Sequence, residues 1–356
     1  MTIFSPGATI GIIGGGQLGR MTALAAANLG FKIHTYCPEH DCPAAQVSNE
    51  VTVASYLDHQ KIAEFAAVVD VATFEFENIP HETVQIIANH TVVRPGWKIL
   101  HIAQNRLREK DFIKHLGIGT APYQAIDSNE ALQDAAASLG FPCILKTTEL
   151  GYDGKGQYIL RSATDIDALA INFQPGAYIL EGFVDYDKEI SVVLARSVNG
   201  EISCFAPTEN HHKNGILDIS IAPAAIAPAI ATMAQAMAST LAENLELVGM
   251  MAVEFFVTKN QQLLVNEIAP RPHNSGHWTI DACITSQFEQ FVRSVCGLPF
   301  GSNALHSRAI MQNLIGDQVL SWPDFISEPA TKLHIYGKAD VKAGRKMGHV
   351  TRLLPL

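Results

Sequence analysis

Two runs rich in β-branched and aromatic residues, Met251–Thr258 and Gln262–Ile268, are separated only by Lys259-Asn260-Gln261. Alternation at period two on both sides of so short a polar break specifies an antiparallel hairpin. With Asn260-Gln261 as a two-residue turn, the register sets Glu254 opposite Glu267. Directly opposed Cβ atoms lie roughly 4.5–5.5 Å apart, and two unit charges at about 5 Å repel by about 3 kcal/mol at an effective dielectric near 20. A good cross-strand pair returns only about 0.2–1 kcal/mol. The pair therefore calls for a shared proton or a hard divalent cation, and oxygen-only ligands favour Mg²⁺ or Mn²⁺. Asn-Gln is a weaker turn signal than Asn-Gly, however, and a slip of one residue would leave two separate, solvated glutamates.

The segment after the hairpin favours the cation. Asn266-Glu267-Ile268-Ala269-Pro270-Arg271-Pro272-His273-Asn274-Ser275-Gly276-His277-Trp278 crowds Arg271, His273, Asn274 and His277 into a loop at the mouth of the same strand. Such a cluster is costly to maintain without a ligand.

The 356 residues suffice for two or three domains with cores of their own. A net charge of −10 argues against nucleic acid or an anionic membrane as partner, while leaving room for a local basic pocket that takes a phosphorylated metabolite. Cys37, Cys42, Cys143, Cys204, Cys283 and Cys296 show neither C-x-x-C pairing nor zinc spacing, and the N-terminus lacks a signal-peptide pattern. A cytoplasmic protein with free thiols is expected. The weakly polar run Ile219–Ala238 holds Pro223 and Pro228 and is Ala-rich, so no membrane span is expected there.

The first hundred residues read as βαβ units of a doubly wound, mostly parallel sheet, with strands Thr9–Ile13, Lys32–Tyr36, Val51–Val53 and Val71–Phe74 and a helix from about Leu18 to Leu29. From Gln104 the pattern changes to a charged helix, Asn105–Leu116, followed by strand and hairpin signals. Cys143–Thr148, Gln157–Leu160, Ala177–Glu181 and Glu189–Ser197 read as strands, with Asn199-Gly200 as a type I′ turn. A third, short region follows Gly297-Leu298-Pro299 and ends in a basic, tail-like segment, Lys338–Arg352.

Gly14-Gly15-Gly16-Gln17-Leu18-Gly19 fits G-x-G-x-x-G after a strand and before a helix, a context in which backbone N–H groups can hold a phosphate. Tyr36-Cys37-Pro38 stands where a dinucleotide fold wants an acid for the ribose, which disfavours a nicotinamide or flavin role. A substrate phosphate fits better, and simple helix packing is the alternative. Gly151-Tyr152-Asp153-Gly154-Lys155-Gly156-Gln157 is no Walker loop, but as a flap it could close amides and Lys155 over nucleotide phosphates; an ordinary glycine-rich turn is the plainer reading. Lys146 ends an apolar strand and either meets an anion or snorkels to water. Glu181-Gly182-Phe183-Val184 with Glu189 suits backbone contacts to adenine and a carboxylate on ribose hydroxyls. Glu75, in Phe74-Glu75-Phe76-Glu77-Asn78, is either a ligand-facing acid at the carboxyl end of a parallel strand or a solvated loop acid.

Taken in order, Gly14–Gly19, Phe74–Asn78, Cys143–Lys146, Gly151–Gln157, Glu181–Val184, Glu254 and Asn266–Trp278 resemble the ATP-grasp superfamily. Within it they resemble the N5-carboxyaminoimidazole ribonucleotide synthases, the ATPase subunits of phosphoribosylaminoimidazole carboxylase in purine biosynthesis. The resemblance covers nearly the whole chain. It implies a mixed α/β and α+β protein: a Rossmann-like parallel-sheet domain over 1–103, an ATP-grasp fold over 104–297 and a small β-rich domain over 298–356. It further implies that ATP and bicarbonate give carboxyphosphate, which carboxylates the exocyclic amine of aminoimidazole ribonucleotide and leaves ADP and phosphate. Carried over by motif, Arg106 and Lys146 would hold ATP phosphates under the 151–157 loop. Glu181, Gly182, Phe183, Val184, Glu189 and His212 would bind the nucleotide, with Asn266 beside it. Glu254 and Glu267 would bridge Mg²⁺. The ribonucleotide would lie among Gly15, Gly16, Gln17, Leu18, Glu75, Tyr152, Asp153, Arg271, His273, Asn274, Lys338 and Arg345, with Asp153, Arg271, Lys338 and Arg345 nearest the chemistry. A homodimer is the family expectation.

Two departures from wider ATP-grasp usage matter. Ala269 stands where many members place an asparagine as a third oxygen ligand, so coordination leans on phosphate and water. Arg106 replaces an early lysine and makes that charge forked. Two competing readings remain: a formate-using purine transformylase, which the loop Arg271–Trp278 disfavours, and a Rossmann-type redox or nucleotide-sensing protein without turnover.

Overall fold

Strands covered by helices on both faces have no polar side to show, and the N-terminal apolar runs meet that condition. In the computed structural model, which describes residues 2–151 and 156–356, they are β1 (Thr9–Ile13), β2 (Lys32–Cys37), β3 (Glu50–Val53), β4 (Val71–Phe74) and β5 (Val92–Val93). All pair in parallel, in the order β3-β2-β1-β4-β5. Because β1 takes β2 on one side and β4 on the other, the loops leaving β1 and β4 flank the crevice where open α/β sheets bind ligands. The helix Gln17–Asn28 begins directly after the glycine loop of β1.

Among the described residues two further sheets complete the fold. β6 (Tyr123–Ile126), β7 (Cys143–Thr147), β8 (Gln157–Leu160) and β9 (Tyr178–Gly182) form an antiparallel sheet in the order β6-β9-β7-β8. The other sheet holds β10 (Tyr186–Arg196), β11 (Ile202–Cys204), β12 (Thr208–Lys213), β13 (Ile216–Ala222), β14 (Gly249–Thr258), β15 (Leu263–Ala269), β16 (Arg308–Ile315), β17 (Thr331–Ile335) and β18 (Lys346–Leu354). Its order is β15-β14-β10-β12-β13-β16-β18-β17, with β11 paired to β10. Val192, Leu194, Met251, Val253 and Phe255 of its central strands pack with Ala234, Ala238 and Leu241 of the helix Pro228–Asn244 in one core. Through β13 and β16 this sheet runs from the 104–297 segment into 298–356 without a break. No helix among the described residues is long and apolar enough to cross a membrane.

Three local expectations need correction. The β14–β15 turn is not the two-residue Asn260-Gln261: the Gln261 N–H donates to Thr258 O at 2.8 Å and the Thr258 N–H to Gln262 O at 2.9 Å, closing a three-residue loop with Gln261 at φ 62°. Ser197–Glu201 repeats that pattern, with Gly200 at φ 86° in the left-handed position, rather than a type I′ turn at Asn199-Gly200. The basic segment Lys338–Arg352 is no tail: β18 lies between β16 and β17, with Lys346, Met347, His349 and Val350 buried.

The longer turn alone would separate Glu254 from Glu267, because Phe255, Phe256 and Val257 now pair with Val265, Leu264 and Leu263. A register shift between Glu254 and Phe255, with Asn266 as the extra residue, restores Glu254 opposite Glu267.

Candidate active site

A cleft of about 530 Å³ is lined by residues of the two antiparallel sheets, by Glu77 and Asn78 of the loop that follows β4, and by the segments between them. On its floor, β14 and β15 present Glu254 and Glu267 directly across from each other. Burial first, and the facing Glu267 second, push the Glu254 carboxyl up to about 8. His273, 3.6 Å from Glu254, cannot neutralise it: burial and the neighbouring Arg271 hold its imidazole well below its ordinary value, so it is neutral. The bulge also carries Asn266 into the lining beside Glu267, where strict alternation would have turned it away. Two opposed acidic oxygen donors, whose mutual repulsion and burial disfavour two bare charges, fit a hard divalent ion.

The cations of the cleft are positioned from several elements. Asn105 caps the helix Arg106–His115, its Oδ1 accepting from the N–H groups of Leu107 at 3.1 Å and Arg108 at 3.2 Å, which sets Arg106 at the first helical position. The Arg106 guanidinium then lies 3.5 Å from Glu267 and donates to Gly151 O at 3.3 Å. Lys146 does meet an anion: its Nζ donates to Glu181 Oε2 at 2.8 Å, and Lys110 lies 3.4 Å from Glu181 Oε1. Burial opposes ionisation of Glu181, but Lys146 and Lys110 outweigh it and hold the carboxyl at about 2. Arg271 forms an ion pair with Glu77 at 2.7 Å.

Glu181 is therefore the buried counter-ion of two lysines, and its side chain is not among the cleft lining. Glu189 is in the lining, as are Phe183, Tyr186 and Phe256; the last two rings stack at 4.7 Å. His212 meets Glu189 in a close ion pair that outweighs the burial of both, lowering the carboxyl and raising the imidazole from their ordinary values.

At the crevice between β1 and β4, Glu75 accepts from the backbone N–H of Gly16 and, at 2.7 Å, from that of Gly19. The carboxylate thus caps the helix Gln17–Asn28 from the neighbouring strand's loop. Burial nevertheless raises the Glu75 carboxyl, against the pull of these amides, Arg271 and Lys338. A Cβ on Gly14, at φ 112°, would collide with the Glu75 side chain and come within 2.9 Å of its Oε1, so glycine is required there. Gln17 Nε2 reaches Asn274 Oδ1 at 3.4 Å and joins this crevice to the cleft. Lys338 donates to Lys346 O at 2.6 Å.

The loop after β15 is tied by hydrogen bonds to other elements of the chain. Gln287 accepts from the His273 N–H at 3.0 Å and donates back to His273 O at 2.8 Å. Ser191 donates to Ser275 Oγ at 2.7 Å, and the Trp278 indole donates to Thr208 Oγ1 at 3.0 Å.

Of the expected residues, Arg106, Lys146, Gly151, Gln157, Phe183, Glu189, His212, Glu254, Asn266, Glu267, Arg271, His273 and Asn274 line the cleft together. Gly15 to Leu18 and Glu75 form the adjoining crevice. Gly156, Gly182, Val184, Lys338 and Arg345 are not in the lining; the Arg345 guanidinium donates to Asp340 O at 3.3 Å. Tyr152, Asp153, Gly154 and Lys155 lie outside the described residues. Sequence reasoning missed Lys346 and Glu109. Glu109 is buried, accepts from the Ile268 N–H at 2.6 Å and is pushed up to about 8, by burial first and Glu267 second. Spacing three residues beyond Arg106 on one helix was the available signal for it; Lys346 carried none, having been read as tail. Away from the cleft, Asp281, His334 and His349 cluster closely. The two imidazoles stack at 4.4 Å and 14°, so their in-plane lone pairs cannot converge on one ion as they stand.

Opposed carboxylates under a cage of Arg and Lys, set between two antiparallel sheets, define an ATP-grasp ligase. The ATP-grasp domain model matches residues 111–288, the ribonucleotide synthetase preATP-grasp domain model 7–104, and the phosphoribosylaminoimidazole carboxylase C-terminal domain model 309–355. The chain is 48% identical to N5-carboxyaminoimidazole ribonucleotide synthase of Brucella melitensis, over 99% of this chain and 98% of that protein, and 45% identical to the enzyme of Bacillus subtilis, over 98% and 92%. A crystal structure of an N5-carboxyaminoimidazole ribonucleotide synthetase with ADP superposes with a TM-score of 0.96 at 45% identity, covering 99% of this chain and 94% of that one. The Aspergillus clavatus enzyme, solved with ADP and 5-aminoimidazole ribonucleotide, gives 0.92 at 27% identity over 98% and 94%. The chain belongs to the N5-carboxyaminoimidazole ribonucleotide synthase family.

Proposed function

We propose that the chain carboxylates 5-aminoimidazole ribonucleotide with ATP and bicarbonate, forming N5-carboxyaminoimidazole ribonucleotide, ADP and phosphate in purine biosynthesis. The observation that carries this reading is the opposed pair Glu254–Glu267 on the cleft floor with Arg106 and Arg271 at its sides. Bicarbonate oxygen attacks the γ-phosphorus and ADP leaves; the amine nitrogen of the ribonucleotide then attacks the carboxyl carbon of carboxyphosphate and phosphate leaves. Glu254 and Glu267 would hold Mg²⁺, which supplies charge neutralisation across adjacent phosphates when bound. Arg106 and Lys146 orient the phosphates, while Phe183, Tyr186 and Phe256 form the apolar walls for adenine and Glu189 takes the ribose hydroxyls. Glu181 keeps Lys146 charged and in place.

Arg271, fixed by Glu77, offers its guanidinium to the carboxyphosphate, whose negative charge grows as the phosphoryl group transfers. The 151–157 loop would serve to exclude water from that hydrolysable intermediate, and Asp153 keeps the catalytic role that the family resemblance implies. On the ribonucleotide side Glu75 orders the Gly15–Leu18 loop, leaving Gln17, Leu18, His273, Asn274, Lys338 and Arg345 for the substrate. The functional division at 103/104 and 297/298, a cytoplasmic location and a homodimer belong to the same reading.

ADP release measured with aminoimidazole ribonucleotide added or withheld, and with bicarbonate depleted or replaced by formate, tests it. The expected result is turnover that needs both the ribonucleotide and bicarbonate. No stimulation by the ribonucleotide would overturn the assignment, and formate dependence would favour a transformylase.

A further inference from the structure

Directly beneath the glycine loop lie two thiols that the reaction does not use. Cys37 ends β2, Cys42 follows after one turn, and their sulfurs are 2.9 Å apart with both residues free. The pair is pressed against the loop backbone: a Cβ on Gly15 would collide with the Cys42 sulfur and lie 2.6 Å from its Cβ and 3.0 Å from that of Cys37. The Ala44 N–H also donates to Gly15 O at 3.0 Å, so the segment carrying Cys42 and the loop are hydrogen-bonded together. We propose that Cys37 and Cys42 form a reversible oxidation site, closed by a hydroperoxide to an intramolecular disulfide that displaces the Gly15 loop and weakens ribonucleotide binding. The second half of this proposal rests on the substrate side assigned above to Gly15–Leu18.

The chemistry balances with hydrogen peroxide as oxidant. The Cys42 thiolate attacks one peroxide oxygen, the O–O bond breaks, and hydroxide leaves with the displaced proton as water. The Cys37 sulfur then attacks the Cys42 sulfenic acid; the S–S bond forms, the S–O bond breaks, and the second water carries off the Cys37 proton. Two thiols lose two hydrogens and one peroxide becomes two waters. Cys42 is the first nucleophile because its contact with the Cys37 sulfur brings it down to about 7, whereas the same contact pushes Cys37 up. Cys42 retains 5% exposure, and Cys37 none. Closing the bond shortens the sulfur separation from 2.9 Å to about 2.05 Å. With Gly15 packed on both residues, the contraction cannot be absorbed without moving the loop.

The full-length chain is treated with hydrogen peroxide, free thiols are alkylated, and the peptide bearing both cysteines is weighed without reduction. The expected product lacks two hydrogens and is restored by dithiothreitol. Its KM for aminoimidazole ribonucleotide rises about tenfold, equivalent to losing roughly one hydrogen bond to the loop, while the KM for ATP is unchanged. Cys42→Ser and Cys37→Ser both abolish the disulfide and the KM change. Peroxide treatment that yields no Cys37–Cys42 bond overturns the site, and a disulfide with unaltered KM overturns its coupling to the loop. A reduced enzyme that never uses the ribonucleotide fails the functional reading instead, and the mass measurement distinguishes the two.

Discussion

Glu254 faces Glu267 because a bulge at Asn266 cancels the one-residue displacement introduced by the turn at Lys259–Gln261. The same bulge admits Asn266 and Glu267 to one cleft wall, so a single backbone irregularity builds the acidic floor.

Cation binding at this pair should release a proton. With Glu254 at about 8, the group is about nine-tenths protonated at pH 7, and Mg²⁺·ATP should displace close to one proton per chain. Calorimetry in buffers of different ionisation enthalpy measures this; Glu254→Gln should remove the release. The sign for stability follows from a folded value raised above the unfolded one. Glu254 favours the fold fully below about 4.5, and that contribution is lost as pH rises through about 8. Release equal in wild type and variant would place the proton elsewhere.

Glu267→Gln should lower turnover by about 10²–10³-fold, on the scale of losing one preorganised charge-stabilising group, with circular dichroism unchanged. Activity retained at saturating Mg²⁺ would make the pair structural.

Lys110→Met should cost about 3 kcal/mol, the lower end for breaking a buried pair, since Lys146 still faces Glu181 at 2.8 Å. Glu181 sits at about 2, so its contribution is present above about 4.5 and lost as pH falls through its folded value. The destabilisation, read by urea midpoint at pH 7, should therefore narrow in acid. An unchanged midpoint would mean that Lys110 contributes nothing to holding this carboxylate.

Gly14→Ala should lower stability by about 1–2 kcal/mol from its positive φ alone, and further because the Cβ meets Glu75. The KM for the ribonucleotide should rise more than that for ATP. Equal rises in both would show that the crevice and the cleft are not separate subsites.

Lys338→Ala should weaken ribonucleotide turnover and leave ATP affinity nearly unchanged, because Lys338 acts on Glu75 in the crevice and is absent from the cleft lining. An ATP defect would move it to the nucleotide side.

The strands Thr9–Ile13 and Val71–Phe74 are legible in the sequence to the residue, because their apolar runs end at Gly and Glu positions that cannot continue a buried strand; Gln157–Leu160, mostly exposed, is legible from its β-rich run between a glycine loop and Arg161. The cleft residues 254 and 266–274 are legible because opposed acids and a crowded polar loop on an apolar hairpin need an explanation, whereas Arg106 at its helix start was reached only through the family resemblance. Lys346 was not, since a basic run reads as solvated until neighbouring strands are known to cover it. Nor could the Asn266 bulge be read, because Gln261 adopts a left-handed turn position that its side chain does not advertise.

By itself, the sequence determined the layer types, the helix that presents Arg106, and the conflict between two acids that calls for a shared proton or a cation. These depend on local periodicity and on charge, which act over a few residues. Tertiary structure alone decided that Glu181 neutralises two buried lysines, that Glu75 caps the glycine loop, and that the dithiol lies under Gly15. Each joins elements remote in the chain, where hydrogen-bond reach and close packing, rather than propensity, select the partner.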